Sequence, residues 1–480
     1  MAANRIRSTQ TLLITRRNVL LATAAVASAP AAASAGTNAP PPLHAAGRYL
    51  ATPDGKAVYL AGSHTRTNGQ DIGSTPFDFA AYLDFLAGKD MNLIRLWEWE
   101  AATDGGGFFG AVSPLRYVRT SDGKFDLKRL NQAYFDRIRA RAIAAGARGI
   151  YVSVMLFNGT SVASGGSANN PWLSHPFNRA NNVNGINGDP HETSSGLQVH
   201  TLNIPAIWAL QRTYMRKIVA TVSDLPNVLW EVGNEFVDSS DCWTWQNAVV
   251  DYVKQQEAAG GGFQHPVGIT AAFPPAISCA EINQKLLSSH ADWVSLSGTD
   301  GTYLAGRQPR APGIKPVLLD TDHIYGVGGD RTWVWTSVMQ GYSTLYMDDL
   351  SGTGIAGLLI PSPTKFQATE QSARAAMGRA RRVASGVNLT DMVPSGPLSS
   401  TGYCLANPTT GEYLVFAENG GTIIVNLPNA SGGSPQAEWL DLYTGQLSSL
   451  SARPGTGASR TFAAPYRAGL LIIGPGQRRG

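Results

Sequence analysis

Three stretches of this 480-residue chain end apolar runs in groups that can hold or move a proton. They are Arg95-Leu96-Trp97-Glu98-Trp99-Glu100, Trp230-Glu231-Val232-Gly233-Asn234-Glu235 and Val317-Leu318-Leu319-Asp320-Thr321-Asp322-His323. If the three runs are strands of one sheet, their ends bring several carboxylates and an arginine to a common mouth. Paired carboxylates across a cleft are what cleavage of a glycosidic bond requires. One, protonated, gives its proton to the leaving oxygen; the other, ionised, attacks the anomeric carbon or activates water. Their surroundings must push the two pKa values apart, and proximity of like charges does part of that. On the third stretch, residues two apart on a strand point the same way, so Asp320 and Asp322 are both expected to face the mouth.

Short apolar runs alternate with helical stretches from Tyr59 to about Tyr346, as in βα units with a parallel sheet. Strands are expected at Val58–Ser63, Leu93–Trp97, Ile150–Phe157, Val228–Val232, Val267–Ala272, Trp293–Leu296, Val317–Leu319 and Ser343–Tyr346. Most are nearly continuous apolar runs, which marks strands buried on both faces. Helices are expected at Phe77–Leu86, Asn131–Ala145, Ile204–Thr221, Trp245–Ala259 and Arg331–Gln340, the last N-capped by Asp330. Eight strands with intervening helices indicate an α/β fold of the (β/α)8 TIM-barrel type, whose active sites lie at the C-terminal strand ends. An open doubly wound sheet would want a glycine-rich phosphate turn after the first strand, and Ala61-Gly62-Ser63-His64 is not one. Beyond Val383, short alternating runs between Asn, Gly, Pro and Ser clusters predict a small all-β sandwich. The expected division is a targeting segment at 1–35, a flexible leader at 36–48, the barrel at 49–382 and the sandwich at 383–480.

The stretch from Val228 to Glu235, ending in Asn234-Glu235, resembles the fourth-strand motif of clan A glycoside hydrolases, the cellulase-like retaining barrels. Asn92-Leu93-Ile94-Arg95 is similar to the second-strand arginine of the same clan. The resemblance covers roughly residues 50–350, and the C-terminal sandwich is similar to the accessory domain often found behind such barrels. It implies that Glu235 is the acid/base, that Asn234 binds the sugar 2-hydroxyl and that Arg95 braces the nucleophile. It also implies a Glu nucleophile at the end of strand seven, where this chain offers only aspartates. Asp322 lies nearer the usual position and is taken as the nucleophile, with Asp320 as neighbour or substitute. Because Asp is one methylene shorter, retention is a preference here. A carboxyl gap beyond about 6.5 Å would favour inversion over the retaining gap of about 5–5.5 Å.

Further candidates surround these. Glu231 lies inside its strand and reads as an internal hydrogen-bonding residue. Glu98 and Glu100 are rim residues, either touching sugar hydroxyls or solvated. His64, Arg66 and Asn68 follow strand one, and His323 follows strand seven. Asn158 opens a long loop to Asn203 that is rich in Asn, Gly and Ser and contains Trp172, His175, His191 and His200. About half of Trp97, Trp99, Trp172, Trp243 and Trp245 are expected to stack on sugar rings. Gly326-Val327-Gly328-Gly329-Asp330 lacks the Lys-Ser/Thr of a phosphate loop and reads as a flexible turn. The histidines show no metal-ligand spacing, and chemistry that uses only carboxylates needs neither a metal nor an organic cofactor.

The chain is 43% hydrophobic and 15% charged, which excludes disorder, and its 52 Gly and 28 Pro show no collagen period. Four of 38 basic residues (Arg5, Arg7, Arg16, Arg17) lie in the first 35 positions, which hold no acid. The other 34 balance 34 acids, so no basic surface for nucleic acid is expected. Paired Arg16-Arg17, an Ala-rich apolar stretch and Ala33-Ser34-Ala35 resemble a twin-arginine export signal, too short to span a bilayer comfortably. The expected location is the periplasm or the exterior. An oxidising compartment permits a disulfide, and Cys242 with Cys279 is the expected pair, on adjacent rim loops, leaving Cys404 over. The partner is expected to be an oligo- or polysaccharide. Two other readings compete: a carbohydrate-binding barrel without catalysis, and a metal-dependent hydrolase built on His64, His323 and the aspartates.

Overall fold

The computed structural model describes residues 39–73, 76–103, 110–162, 170–326, 328–348, 367–428, 436–451 and 458–474. The expected export signal and Val327 lie outside the described residues. Eight parallel strands form one sheet: β1 (Ala61–Thr65), β2 (Leu93–Leu96), β3 (Tyr151–Asn158), β4 (Val228–Asn234), β5 (Val267–Thr270), β6 (Trp293–Ser295), β7 (Leu318–Asp320) and β8 (Ser343–Met347). The order is β6-β5-β4-β3-β2-β1-β8-β7, and a bridge from Val294 to Val317 closes β6 on β7. The barrel is therefore complete.

The strand interiors explain where a site can lie. Residues two apart share a face. Leu93, Tyr151, Leu229, Trp293, Leu318 and Leu345 pack together with Leu43, Leu50 and Leu60 in one apolar cluster. One step further along each strand, the same inward face carries Arg95, Ser153, Glu231, Ser295 and Asp320. An apolar layer thus seals the bottom of the barrel, and a polar layer sits directly above it. Gly268 makes the seal fit: a Cβ there would lie 2.0 Å from the Trp293 ring. Fully burying each of these leucines stabilises the fold by roughly 1.5–3 kcal/mol.

Residues 39–48, expected as part of a flexible leader, supply the plug. His44–Ala46, Tyr49–Ala51 and Ala57–Val58 make a three-stranded antiparallel sheet, and Leu43 and Leu50 are its buried anchors. This also corrects the first strand: Ala57–Val58 pairs with Leu50–Ala51, and the barrel strand begins only at Ala61.

Among the described residues the α-helices are α1 (Phe79–Ala87), α2 (Gln132–Gly146), α3 (Pro205–Val222), α4 (Ser240–Gly260), α5 (Cys279–Ser288), α6 (Arg331–Met339) and α7 (Gln367–Ser385). Residues 296–317, after β6, contain no α-helix. Asp330 caps α6, its side chain accepting from Trp333 N. α5 and α7 are not among the helices expected from the sequence. A capping box at Ser278 and Glu281 marks the start of α5, and that signal was present in the sequence. α7 is polar and arginine-rich, and it is fixed by packing of its alanine face. No helix among the described residues is long and apolar enough to cross a membrane.

The expected Cys242–Cys279 disulfide is not formed; both are free, buried thiols, as is Cys404. α4 starts at Ser240, earlier than the apolar spacing suggested, so Cys242 lies in its first turn rather than on a rim loop. Its sulfur accepts a contact from Gln246, while the Cys279 sulfur meets Ser297 and Thr299.

Beyond α7 lies the β-sandwich. Six antiparallel strands run in the order Val393–Pro394, Cys404–Asn407, Glu412–Ala417, Gly469–Gly474, Gln436–Asp441, Leu447–Ser451. Gly421–Asn426 and Ser459–Ala464 pair separately. Strand alternation divides the large sheet. Cys404, Val415, Trp439 and Leu471 pack on Ile423, Val425 and Phe462 of the small one. Leu405, Leu414, Phe416 and Leu470 face the barrel core.

Candidate active site

The polar layer is organised by Arg95 on β2, which is fully buried. Its Nε donates to both carboxylate oxygens of Glu231 on β4, at 2.8 and 3.0 Å. Its Nη2 bonds Glu231 again and donates to Asn234 Oδ1 at 2.9 Å. Its Nη1 donates to Asp320 Oδ2 on β7 at 3.2 Å and stands 3.9 Å from Asp322 Oδ2. Glu231 is thus the internal hydrogen-bonding residue expected, and Arg95 links strands two, four and seven. A planar fork with several donors suits this bridging role. Because Asn234 offers its oxygen to Arg95, its amide NH2 remains as a donor.

Asp320 and Asp322 both reach Arg95, but not as expected. β7 ends at Asp320, and Thr321–His323 turns into a 3-10 helix capped by Asp320, which accepts from Asp322 N at 3.0 Å. The two aspartates therefore do not alternate along one strand; a turn brings the second back toward the first. Asp320 is fully buried, and His64 Nε2 donates to its Oδ1 at 3.1 Å. Burial alone would raise its pKa, but the His64 ring and Arg95 outweigh that and hold Asp320 well below the usual carboxylate range. Asp322 is different. Its side chain is 7% exposed, and its buried Oδ2 accepts no hydrogen bond.

Glu235 follows the last residue of β4 and is partly buried. Its carboxyl is pushed up to about 8, first by burial and then by the negative charge of Asp322, against the pull of Arg66 and Arg95. Asp322 acts on it more strongly than Asp320 does. The site therefore holds a carboxyl that keeps its proton at neutral pH, Glu235, and one held ionised, Asp320.

The neighbours are mostly structural. His64 lies parallel to Trp97, with ring centroids 5.6 Å apart and planes 6° apart, and its Nδ1 is buried without a partner. His323 is buried; its Nδ1 meets Ser295 Oγ at 3.2 Å, and its Nε2 has no partner. Burial lowers the His323 pKa. Asn68 clamps strand two from outside, donating to Arg95 O and accepting from Trp97 N.

Several of the expected sugar contacts lie in the interior rather than on an open rim. Trp97, Trp99, Trp172, Trp243 and Trp245 are all buried. Trp99 packs in a second apolar cluster with Trp97 and Trp172, and Trp245 joins the main core. Glu98 and Glu100 are likewise buried rather than on the rim. Glu98 takes Arg116 at 2.7 Å and the Tyr134 hydroxyl at 2.6 Å, and burial pushes its carboxyl up to about 7. Glu100 accepts from His200 at 2.8 Å and from Asn158 N at 2.9 Å. Burial would raise it, yet His200 and Arg116 prevail and hold it well below the ordinary range. Asn158 donates to Glu98 O and caps the turn beyond β3, so it ties loops together and is not free for substrate. Residues of the long loop contribute to this burial: Ser161 accepts from Glu100 N, and His200 packs on Trp245 and bonds Glu100. Arg116, which neutralises Glu98 and Glu100, carried no sequence signal, since its partners are remote in the chain.

His64, Asp320 and Asp322 each bring one ligand-type atom within 4.8 Å of the others. A divalent cation there would have to displace the Arg95 guanidinium from both carboxylates, so the donor set fits an arginine better than a metal.

No family model matches the chain, and no curated protein matches it. Solved structures do. A protein named "Glycoside hydrolase" is 14% identical, with 93% of this chain and 99% of that chain covered and a TM-score of 0.62. A glycoside hydrolase family 5 protein from Bacteroides vulgatus ATCC 8482 is 14% identical, with 92% and 95% covered and a TM-score of 0.58. Over nearly its whole length the chain has the fold of these proteins, a TIM barrel followed by a β-sandwich.

Proposed function

We propose that the protein is an exported glycoside hydrolase that cleaves an oligo- or polysaccharide with retention of configuration. The observation that carries the reading is the grouping of carboxyls at the barrel mouth: Glu235 is raised to about 8 by burial and by the charge of Asp322, while Arg95 reaches both strand-seven aspartates. Glu235 gives its proton to the glycosidic oxygen as the bond to the anomeric carbon breaks. Asp322, the carboxylate with an unpartnered oxygen, attacks that carbon and forms a glycosyl ester. Water then displaces Asp322, delivering its proton to Glu235 and its hydroxyl to the sugar. The NH2 of Asn234 serves the 2-hydroxyl. The fold shared with proteins named glycoside hydrolases supports this reading, and residues 1–35 support export.

A second reading, metal-dependent hydrolysis, is favoured by the His64, Asp320 and Asp322 grouping. One experiment separates the two. The mature protein is assayed against a glycan panel, with product anomers followed by NMR and with a chelator in a parallel arm. The expected result is hydrolysis with a retained first product and no effect of the chelator. Loss of activity on chelation would favour the metal reading, and binding without cleavage would favour a carbohydrate-binding barrel. The pH profile is a further check. Because the donor must be protonated, kcat/KM is expected to fall as pH rises through about 8. A plateau reaching well above that pH would show that Glu235 is not the essential acid.

A further inference from the structure

We infer that Gly159 and Thr270, at the C-terminal ends of the strands flanking β4, are positioning residues for the proton donor Glu235; the inference rests on the proposed glycosidase reading. Glu235 has a φ of +50°, in the left-handed region that residues with a side chain avoid. It holds this conformation at a strand end inside the mouth, where the surroundings must impose it.

What imposes it can be read from both sides. On one side is Gly159, the first residue after β3. A Cβ on Gly159 would lie 2.2 Å from Glu235 O, 2.6 Å from Glu235 C and 2.8 Å from Phe236 Cα. All three are backbone atoms with no rotamer by which to escape. Gly159 does not itself have a positive φ, so an alanine there suits its own torsions and strains only its contact with Glu235. Nor can the β3 end easily retreat. Asn158 pairs with Asn234, its N donates to Glu100 at 2.9 Å, and its Nδ2 donates to Glu98 O at 2.8 Å.

On the other side, Thr270 at the end of β5 donates its hydroxyl to Gly233 O at 2.7 Å. Phe273 N donates to Phe236 O at 3.0 Å. The backbone carrying Glu235 is thus anchored two residues before and one residue after it, and pressed from the β3 side. Neither Gly159 nor Thr270 bears a group that could donate the proton. Their contribution is where Glu235 sits, and so how strongly burial and Asp322 hold its proton.

The test uses the full-length mature enzyme and two glycosides of one sugar that the wild type cleaves. One is the 2,4-dinitrophenyl glycoside, whose leaving group departs without a proton. The other is an unactivated disaccharide. Gly159→Ala and Thr270→Val are each expected to lower kcat/KM on the disaccharide about tenfold or more, within the range of general acid catalysis, while kcat/KM on the dinitrophenyl glycoside stays within about threefold. In Gly159→Ala the alkaline limb of the pH profile should also move to lower pH, as the displaced carboxyl loses its burial. A uniform fall on both substrates, or no fall on either, overturns the inference. If near-UV circular dichroism shows that Gly159→Ala does not fold, the same comparison on Thr270→Val, which adds no bulk, decides alone. A wild type that cleaves neither glycoside of any sugar tried removes the glycosidase reading, and this inference with it.

Discussion

Glu235→Gln is expected to lower kcat/KM on unactivated glycosides by roughly 10²–10⁴-fold, the usual contribution of a positioned general acid. The amide keeps the size of the side chain and removes only the proton it can give. On a 2,4-dinitrophenyl glycoside, kcat/KM should hardly change, because that leaving group needs no protonation. Added azide should restore turnover of the same substrate, since azide attacks the glycosyl ester without a base. The variant should also reveal the cost of the site to the fold. An ordinary Glu titrates near 4.5, and folded Glu235 titrates at about 8. Between those values the folded state binds more protons than the unfolded one, so stability falls as pH rises through that window. Glu235→Gln abolishes that slope, and its Tm should exceed the wild type's more at pH 8 than at pH 5. Equal Tm differences at both pH values would mean that Glu235 is not perturbed in the folded protein.

Arg95→Leu carries the second large effect, this time on stability. Removing the guanidinium leaves Glu231 and Asp320 fully buried with no cation between them, and Asn234 without its donor. Breaking a buried ion pair from one side typically costs about 3–5 kcal/mol. The deficit has a defined pH dependence. In the wild type Asp320 is held below the usual range, so its contribution is present at neutral pH and is lost in acid. Without Arg95 both carboxyls should titrate higher and must be protonated to stay buried. The deficit is therefore expected to be large at pH 7 and to shrink toward pH 4, read from urea midpoints at constant slope. Arg95→Lys should recover only part of it, because an ammonium cannot span Glu231, Asp320 and Asn234 together. A loss below about 1 kcal/mol would mean that the pairing is offset by desolvation.

Much of this site was legible in the sequence because barrel strands write their chemistry at their ends. All eight strands were placed to within a few residues, since a strand buried on both faces is a near-continuous apolar run. Val228 to Asn234 and Leu93 to Leu96 are clear cases. Arg95, Glu231, Asn234 and Asp320 then converge by topology alone. What escaped depended on chain that is remote or irregular. The turn after β7 is a 3-10 helix, so period-two reasoning failed at Asp322. The tryptophans looked like sugar platforms because pattern alone cannot tell an open strand end from one roofed by a loop. Glu98 and Glu100 looked solvated because Arg116 and His200, which neutralise them, arrive from elsewhere in the chain. Cys242 moved from rim to core because α4 begins at the Ser239 cap, a turn before its apolar spacing becomes regular.

At strand seven the chain offers two aspartates in place of a glutamate. An aspartate on the strand itself, Asp320, is saturated by His64 and Arg95. Stepping two residues into a tight turn gives Asp322 a free oxygen beside the same arginine and beside Glu235.

In the proposed reaction Asp322 is the carboxylate that takes the sugar while Glu235 gives the proton. Incubating the mature enzyme with the 2-deoxy-2-fluoro, activated glycoside of a sugar it cleaves should trap the glycosyl ester, and mass spectrometry of its peptides should place the added mass on Asp322. A label on Asp320 or on any other residue would contradict the assignment. So would turnover to a product of inverted configuration with no label at all.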